Sequence, residues 1–127
     1  MRNLLLVGLG GFLGSAARYW VVTAVSGTSA APRFPLGTLV VNVVGSLLIG
    51  VVAGLAESRA WLGPETRLFV ATGVLGGFTT FSAFALETHA LARLQTSASA
   101  LLNVALQLGL GLAAVWLGLR LAALVAR

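Results

Sequence analysis

Asn42 stands among valines, with Thr38 four residues before it and Ser46 four residues after. On a helix these three share one face. A hydroxyl there can bond back to its own helix, and Thr38 and Ser46 have that option. Asn42 does not, because its amide brings two donors and an acceptor that need partners elsewhere. It either bonds a neighbouring helix or offers its donors to an ion. A second cluster, Gly76-Gly77-Phe78-Thr79-Thr80-Phe81-Ser82-Ala83-Phe84, combines paired glycines with paired β-branched threonines, all poor helix formers. A helix broken at this point frees carbonyls before the break, which suit a cation, and amides after it, which suit an anion. Phe81 and Phe84 are three residues apart and share a face. They are either core or lipid-facing rings, or rings whose electropositive edges meet an anion. Glu87, one turn on, either titrates in a vestibule or snorkels and pairs with an arginine. Arg18 either anchors a helix end beside Tyr19 and Trp20 or makes an electropositive vestibule that gathers anions. His89 reads as interfacial. Asn103 and Gln107, at i and i+4, either extend a polar lining or bond across to a neighbouring helix.

Four apolar runs must carry these residues: about Leu4 to Val25, Gly37 to Ala56, Arg67 to Leu91 and Ala98 to Val125. Each has the roughly 20 residues that a spanning helix needs. The expected fold is therefore an all-α integral membrane protein, one domain over residues 1–127, with four transmembrane helices and a broken third helix. Broken helices at membrane depth are tolerated where they line a cavity or an ion site. The connections are short and hold breakers, Pro32 and Pro35 in the first and Gly63 and Pro64 in the second, so they leave no room for an extramembrane domain. The start, Met1-Arg2-Asn3-Leu4-Leu5-Leu6-Val7, has the look of a signal peptide. It is kept as the first helix because its removal leaves an odd number of spans. Gly10 and Gly14, Gly50 and Gly54, and Gly73 and Gly77 have the spacing at which helix backbones approach closely in lipid.

Composition agrees with this and excludes other classes. The chain of 127 residues is 58% hydrophobic and 9% charged, against roughly 25% charged for a soluble domain. It cannot cover a water-facing surface. The net charge of +5 comes from eight arginines and three glutamates, and the arginines lie scattered at the ends of the apolar runs, so nucleic acid is not the partner. Arg2, Arg59, Arg67, Arg120 and Arg127 fall on one side of the membrane, and Arg18, Arg33 and Arg93 on the other. The excess towards both termini inside is slight. With no Cys, no Asp and one His, thiolate metal sites and a Ser-His-Asp triad are excluded within the chain.

Three motifs make the chain resemble the Fluc, or CrcB, family of fluoride channels. They are Gly10-Gly11-Phe12-Leu13-Gly14-Ser15-Ala16-Ala17-Arg18-Tyr19, Gly37-Thr38-Leu39-Val40-Val41-Asn42-Val43-Val44-Gly45-Ser46, and Gly76 to Phe84, the last being the most specific. The resemblance covers nearly the whole chain. It implies an antiparallel, dual-topology homodimer in the cell membrane with two fluoride pores. It implies a structural sodium ion at the dimer centre, held by the backbone carbonyls of Gly76 and Thr79 from both subunits. It makes Asn42 a fluoride donor, Phe81 and Phe84 the pore phenylalanines, and Thr80 and Ser82 candidate lining hydroxyls; Arg18 and Glu87 stay vestibule candidates on the reading of the residues above. The chain departs from many relatives at Ala83, where they have Thr, at Asn103, where they have Tyr, and near Gln107, where they have a small hydroxyl. The implied activity is passive fluoride export that protects the cell, with no enzymatic step. A four-helix multidrug exporter would need an acid embedded in the first helix, which has Arg18 and no acid.

Overall fold

The computed structural model describes residues 1–26, 34–59 and 62–126. Arg33 and Arg127, which entered the charge tally above, lie outside the described residues, as does most of the first connection. The described chain is helical: α1 (Arg2–Ser26), α2 (Leu36–Arg59), α3 (Pro64–Arg67), a π-helix (Leu68–Leu75), α4 (Gly76–Phe78), α5 (Phe81–Leu94) and α6 (Ser97–Val125). Four stretches are long and apolar enough to cross a membrane: Arg2–Ser26, Leu36–Glu57, Pro64–Leu94 and Ser97–Val125. Their ends fall within a turn of those expected from the apolar runs.

Large apolar side chains face outward along these helices, Leu4, Phe12, Trp20, Leu86, Leu101 and Leu112 among them. The interior mixes a few apolar side chains, Leu39, Val41, Leu75 and Leu91, with alanines, glycines and polar residues. Thr38, Thr80, Asn103 and Gln107 are buried. Where lipid removes the hydrophobic drive between helices, close backbone contact and interhelical hydrogen bonds hold the bundle.

Two glycine seams supply the close contact. In the first, α1 lies against the π-helix and α4. A Cβ at Gly10 would stand 2.7 Å from the Phe69 carbonyl oxygen and 2.9 Å from the Gly73 Cα, and one at Gly14 would collide with the Val74 carbonyl. From the other side, a Cβ at Gly77 would stand 2.5 Å from the Gly11 carbonyl oxygen. In the second seam α2 lies against α6. Gly50 meets the Val115 carbonyl, and Gly118 meets the Leu47 carbonyl. Arg2 and Glu65, both exposed, form an ion pair that ties the start of α1 to the start of the third span.

The third span changes geometry twice. Pro64 sits in the first turn of α3, where its missing N–H costs nothing. The next eight residues widen into the π-helix, whose end is marked by the Gly76 N–H donating to the Ala71 carbonyl five residues back. Helix then resumes through Gly76, Gly77 and Phe78. Thr79 (φ −79°, ψ 157°) and Thr80 (φ −151°, ψ 114°) are extended, and α5 starts at Phe81. The glycine pair lies in the last helical turn before the break, and the non-helical residues are Thr79 and Thr80. Thr79 is held by its N–H and its hydroxyl, both 3.0 Å from the Leu75 carbonyl. Thr80 caps α5 by accepting the Ala83 N–H on its hydroxyl at 3.2 Å. β-Branched residues favour extended backbone, and a threonine hydroxyl at the start of a helix satisfies one of its free amides.

Candidate functional site

A cavity of about 380 Å³ opens beside Thr79 and Thr80. Asn42 and Ser46 of α2 form one wall, with Gln107 of α6 next to them. Gly76, Thr79 and Thr80 form the backbone side, and Phe81 and Phe84 the aromatic side. The fold thus brings Asn42, Gly76, Thr79, Thr80, Phe81 and Phe84, separated by up to 42 positions of sequence, around one space.

Asn42 is the central contact. Its Oδ1 accepts the Thr80 N–H at 2.9 Å. Its Nδ2 donates to the Thr80 carbonyl and to Gln107 Oε1, each at 3.1 Å. In a continuous helix the Thr80 N–H would close onto the carbonyl of Gly76, four residues back. Here it goes to Asn42, which leaves the Gly76 carbonyl without its helical donor. Gly76 is exposed on the single chain, and a Cβ there would meet nothing nearer than the Ala71 carbonyl oxygen, at 3.8 Å.

The two rings meet edge to face, with centroids 5.4 Å apart and planes 64° apart. Phe81 is 76% exposed on the single chain. Ser82 is not in the cavity wall; its hydroxyl lies 3.3 Å from that of Thr80.

Glu87 sits two turns beyond the start of α5, outside the cavity wall. Thr38 donates its hydroxyl to Glu87 Oε1 at 2.7 Å, so Thr38 bonds across to α5 and not back to its own helix. Glu87 Oε2 is buried without a donor among the described residues. Arg18 is half-buried in the latter half of α1, with its Nε buried and unpaired among the described residues, and it does not reach the cavity. Asn103, fully buried, donates to the Thr88 hydroxyl at 2.8 Å, and Thr88 in turn donates to the Phe84 carbonyl at 2.7 Å. Gln107 is the residue of this site that sequence reasoning undervalued. Its i+4 spacing from Asn103 put it on a polar face, but nothing in the sequence pointed that face at Asn42.

The family model described as "CrcB-like protein, Camphor Resistance (CrcB)" matches residues 5–119. A protein of Chlorobaculum tepidum named fluoride-specific ion channel FluC is 50% identical over 126 residues, covering 98% of this chain and 97% of its own. A protein of Symbiobacterium thermophilum named fluoride-specific ion channel FluC 1 is 44% identical over 116 residues, 91% of this chain and 94% of its own. One of Rhizobium meliloti, also named fluoride-specific ion channel FluC, is 46% identical over 125 residues, 95% and 96% of the two chains. With four helices fit to span a membrane and this likeness along almost its whole length, the chain is a multi-pass cell-membrane protein, not an enzyme, and belongs to the CrcB-like family of fluoride-specific ion channels.

Proposed function

We propose that this chain conducts fluoride passively out of the cell, and that it does so as an antiparallel, dual-topology homodimer with two pores and a central structural sodium ion. The observation that carries the reading is the cavity at Thr79 and Thr80, where side-chain amides and phenylalanines meet with no fixed cation in the wall. Fluoride is small and strongly hydrated, so a pore must replace its water with donors. Amides and ring edges can do so without a full charge that would hold the ion too tightly to release. Phe81 and Phe84 are the pore rings. Asn42 and Thr80 belong to the polar side, with the Ser82 hydroxyl outside the wall against that of Thr80, and Arg18 and Glu87 belong to the vestibules.

The residues at the break fit a sodium ion. The Gly76 carbonyl has lost its helical donor to Asn42, and its surroundings are open on the single chain. The carbonyls of Gly76 and Thr79 would hold the ion together with their counterparts in a second copy. Bound there, the ion supplies positive charge between two anion paths and joins the two copies. Two-fold symmetry is what a shared central site requires, and the small excess of arginines on one face lets both orientations insert.

The physiological sense is protection. Hydrogen fluoride enters as a neutral weak acid and dissociates in the more alkaline interior. The anion then leaves down an inside-negative potential worth about 2.3 kcal/mol per charge per 100 mV. The test is efflux from liposomes holding the purified full chain, followed with ion-selective electrodes. Fluoride should leave far faster than chloride, with no proton or sodium gradient imposed. Release that stops without a proton gradient, or equal release of chloride, would overturn the reading.

A further inference from the structure

Most polar side chains in the cavity wall are already engaged by the protein. Asn42 Nδ2 has two hydrogens, and they go to the Thr80 carbonyl and to Gln107 Oε1, each at 3.1 Å. The Thr79 hydroxyl donates to the Leu75 carbonyl at 3.0 Å. The Thr80 hydroxyl accepts the Ala83 N–H and has Ser82 Oγ 3.3 Å away. Gln107 Nε2 is closed off by burial. Ser46 of α2 differs from all of these. It stands in the wall, half-buried, and its hydroxyl is neither hydrogen-bonded among the described residues nor closed off from the cavity. A helical hydroxyl can close onto the carbonyl four residues before it, as Thr23, Thr79 and Thr88 do at 2.8, 3.0 and 2.7 Å. Ser46 makes no such bond. It also sits at the middle of the span Leu36–Glu57, where water is absent and an unpartnered polar group is costly.

The space in front of Ser46 comes from α6. A Cβ at Gly111 would stand 3.6 Å from Ser46 Oγ, an ordinary contact, with nothing else within 4 Å. At this level α6 therefore presents no side chain to engage the hydroxyl. We propose that the Ser46 hydroxyl is a donor to the anion on its path, one turn along α2 from Asn42, and that Gly111 keeps the room for it. The inference rests on the fluoride reading above and adds a contact to it. Four residues of helix rise about 6 Å, so the two donors are successive steps along one wall and not two arms of one site. An uncharged hydroxyl gives a strong bond to an anion and still lets it go. Asn42 must release one of its two acceptors to do the same, whereas Ser46 releases nothing.

Fluoride efflux from liposomes holding the full chain tests this. Ser46→Ala removes one oxygen. It should leave helical content and elution volume unchanged, yet lower fluoride efflux by about fivefold to tenfold. Adding Gly111→Ser to Ser46→Ala should restore most of that loss, because the new hydroxyl hangs from a Cβ that stands beside the vacated place. A loss that the second substitution does not recover means that Ser46 only packs, and overturns the proposal. Parent-like efflux from Ser46→Ala overturns it too, and leaves the channel reading standing. A parent protein that does not conduct fluoride takes both down.

Discussion

The two halves of the third span are built on opposite principles. The first, Leu68–Leu75 with Gly76–Phe78, lies against α1 through backbone, with Gly10, Gly11 and Gly14 meeting carbonyls and Cα atoms of the span. The second, Phe81–Leu94, is tied to α2 and α6 by side chains: Thr38 to Glu87, Asn103 to Thr88, and Asn42 to Thr80 at its start. Glycine seams leave no room for a side chain and no polar atom to spare. Side-chain bonds leave cavities, unpaired atoms and exposed rings. The contrast separates what holds the chain together from what could meet an ion, and it makes the two halves respond differently to substitution.

The largest effect should come from the glycine seam. Gly14→Val places a branched side chain into the Val74 carbonyl, and overpacking of this kind costs about 3 kcal/mol or more. The variant should fail to give monodisperse, helical protein by gel filtration and circular dichroism. If it folds and conducts like the parent, the first half is not the scaffold.

Gly76→Val sharpens the same comparison from within the first half. On the single chain a side chain at Gly76 has space, with only the Ala71 carbonyl oxygen at 3.8 Å. On the proposed reading, in which Gly76 faces a second copy and a shared ion, the variant should keep its helical content and yet elute as a smaller species. Unchanged association would remove Gly76 from the dimer centre.

The smallest effect on structure should come from the rings. Phe81→Ile and Phe84→Ile keep bulk but lose the electropositive edge, a contact worth about 1 kcal/mol. Each should remain folded and assembled, with fluoride efflux lowered by roughly fivefold to tenfold. Parent-like efflux from both would take the pore away from the second half of the span.

Much of this was legible beforehand, for physical reasons that can be named. Hydropathy runs such as Gly37 to Ala56 are long because the hydrocarbon core is thick, so four helices could be read directly. The departure from helix near Gly76 to Thr80 could be expected because its residue types are poor helix formers. Its placement could not. The glycines stay helical where α1 packs on them, and Thr79 and Thr80 leave the helix because Leu75 and Asn42 take their polar groups. Periodicity put Asn103 and Gln107 on one face of α6. It could not say that they reach different partners, or that one is left with a donor and the other with an acceptor, because amide direction depends on contacts from other helices. The π-helix leaves no compositional mark at all.

That π-helix carries a consequence for chain length. A turn closed onto the fifth residue back holds one residue more than an α-turn, so Leu68–Leu75 is a reserve of slack. In an ordinary α-helix the loss of one residue swings everything before it by about 100° relative to everything after. Between Leu68 and Thr72 such a loss can be absorbed by a return to α-helical winding. The Arg2–Glu65 tether upstream and the seam contacts of Gly73, Val74 and Gly77 downstream then keep their facing, and the segment works as an expansion joint between two fixed ends of one span.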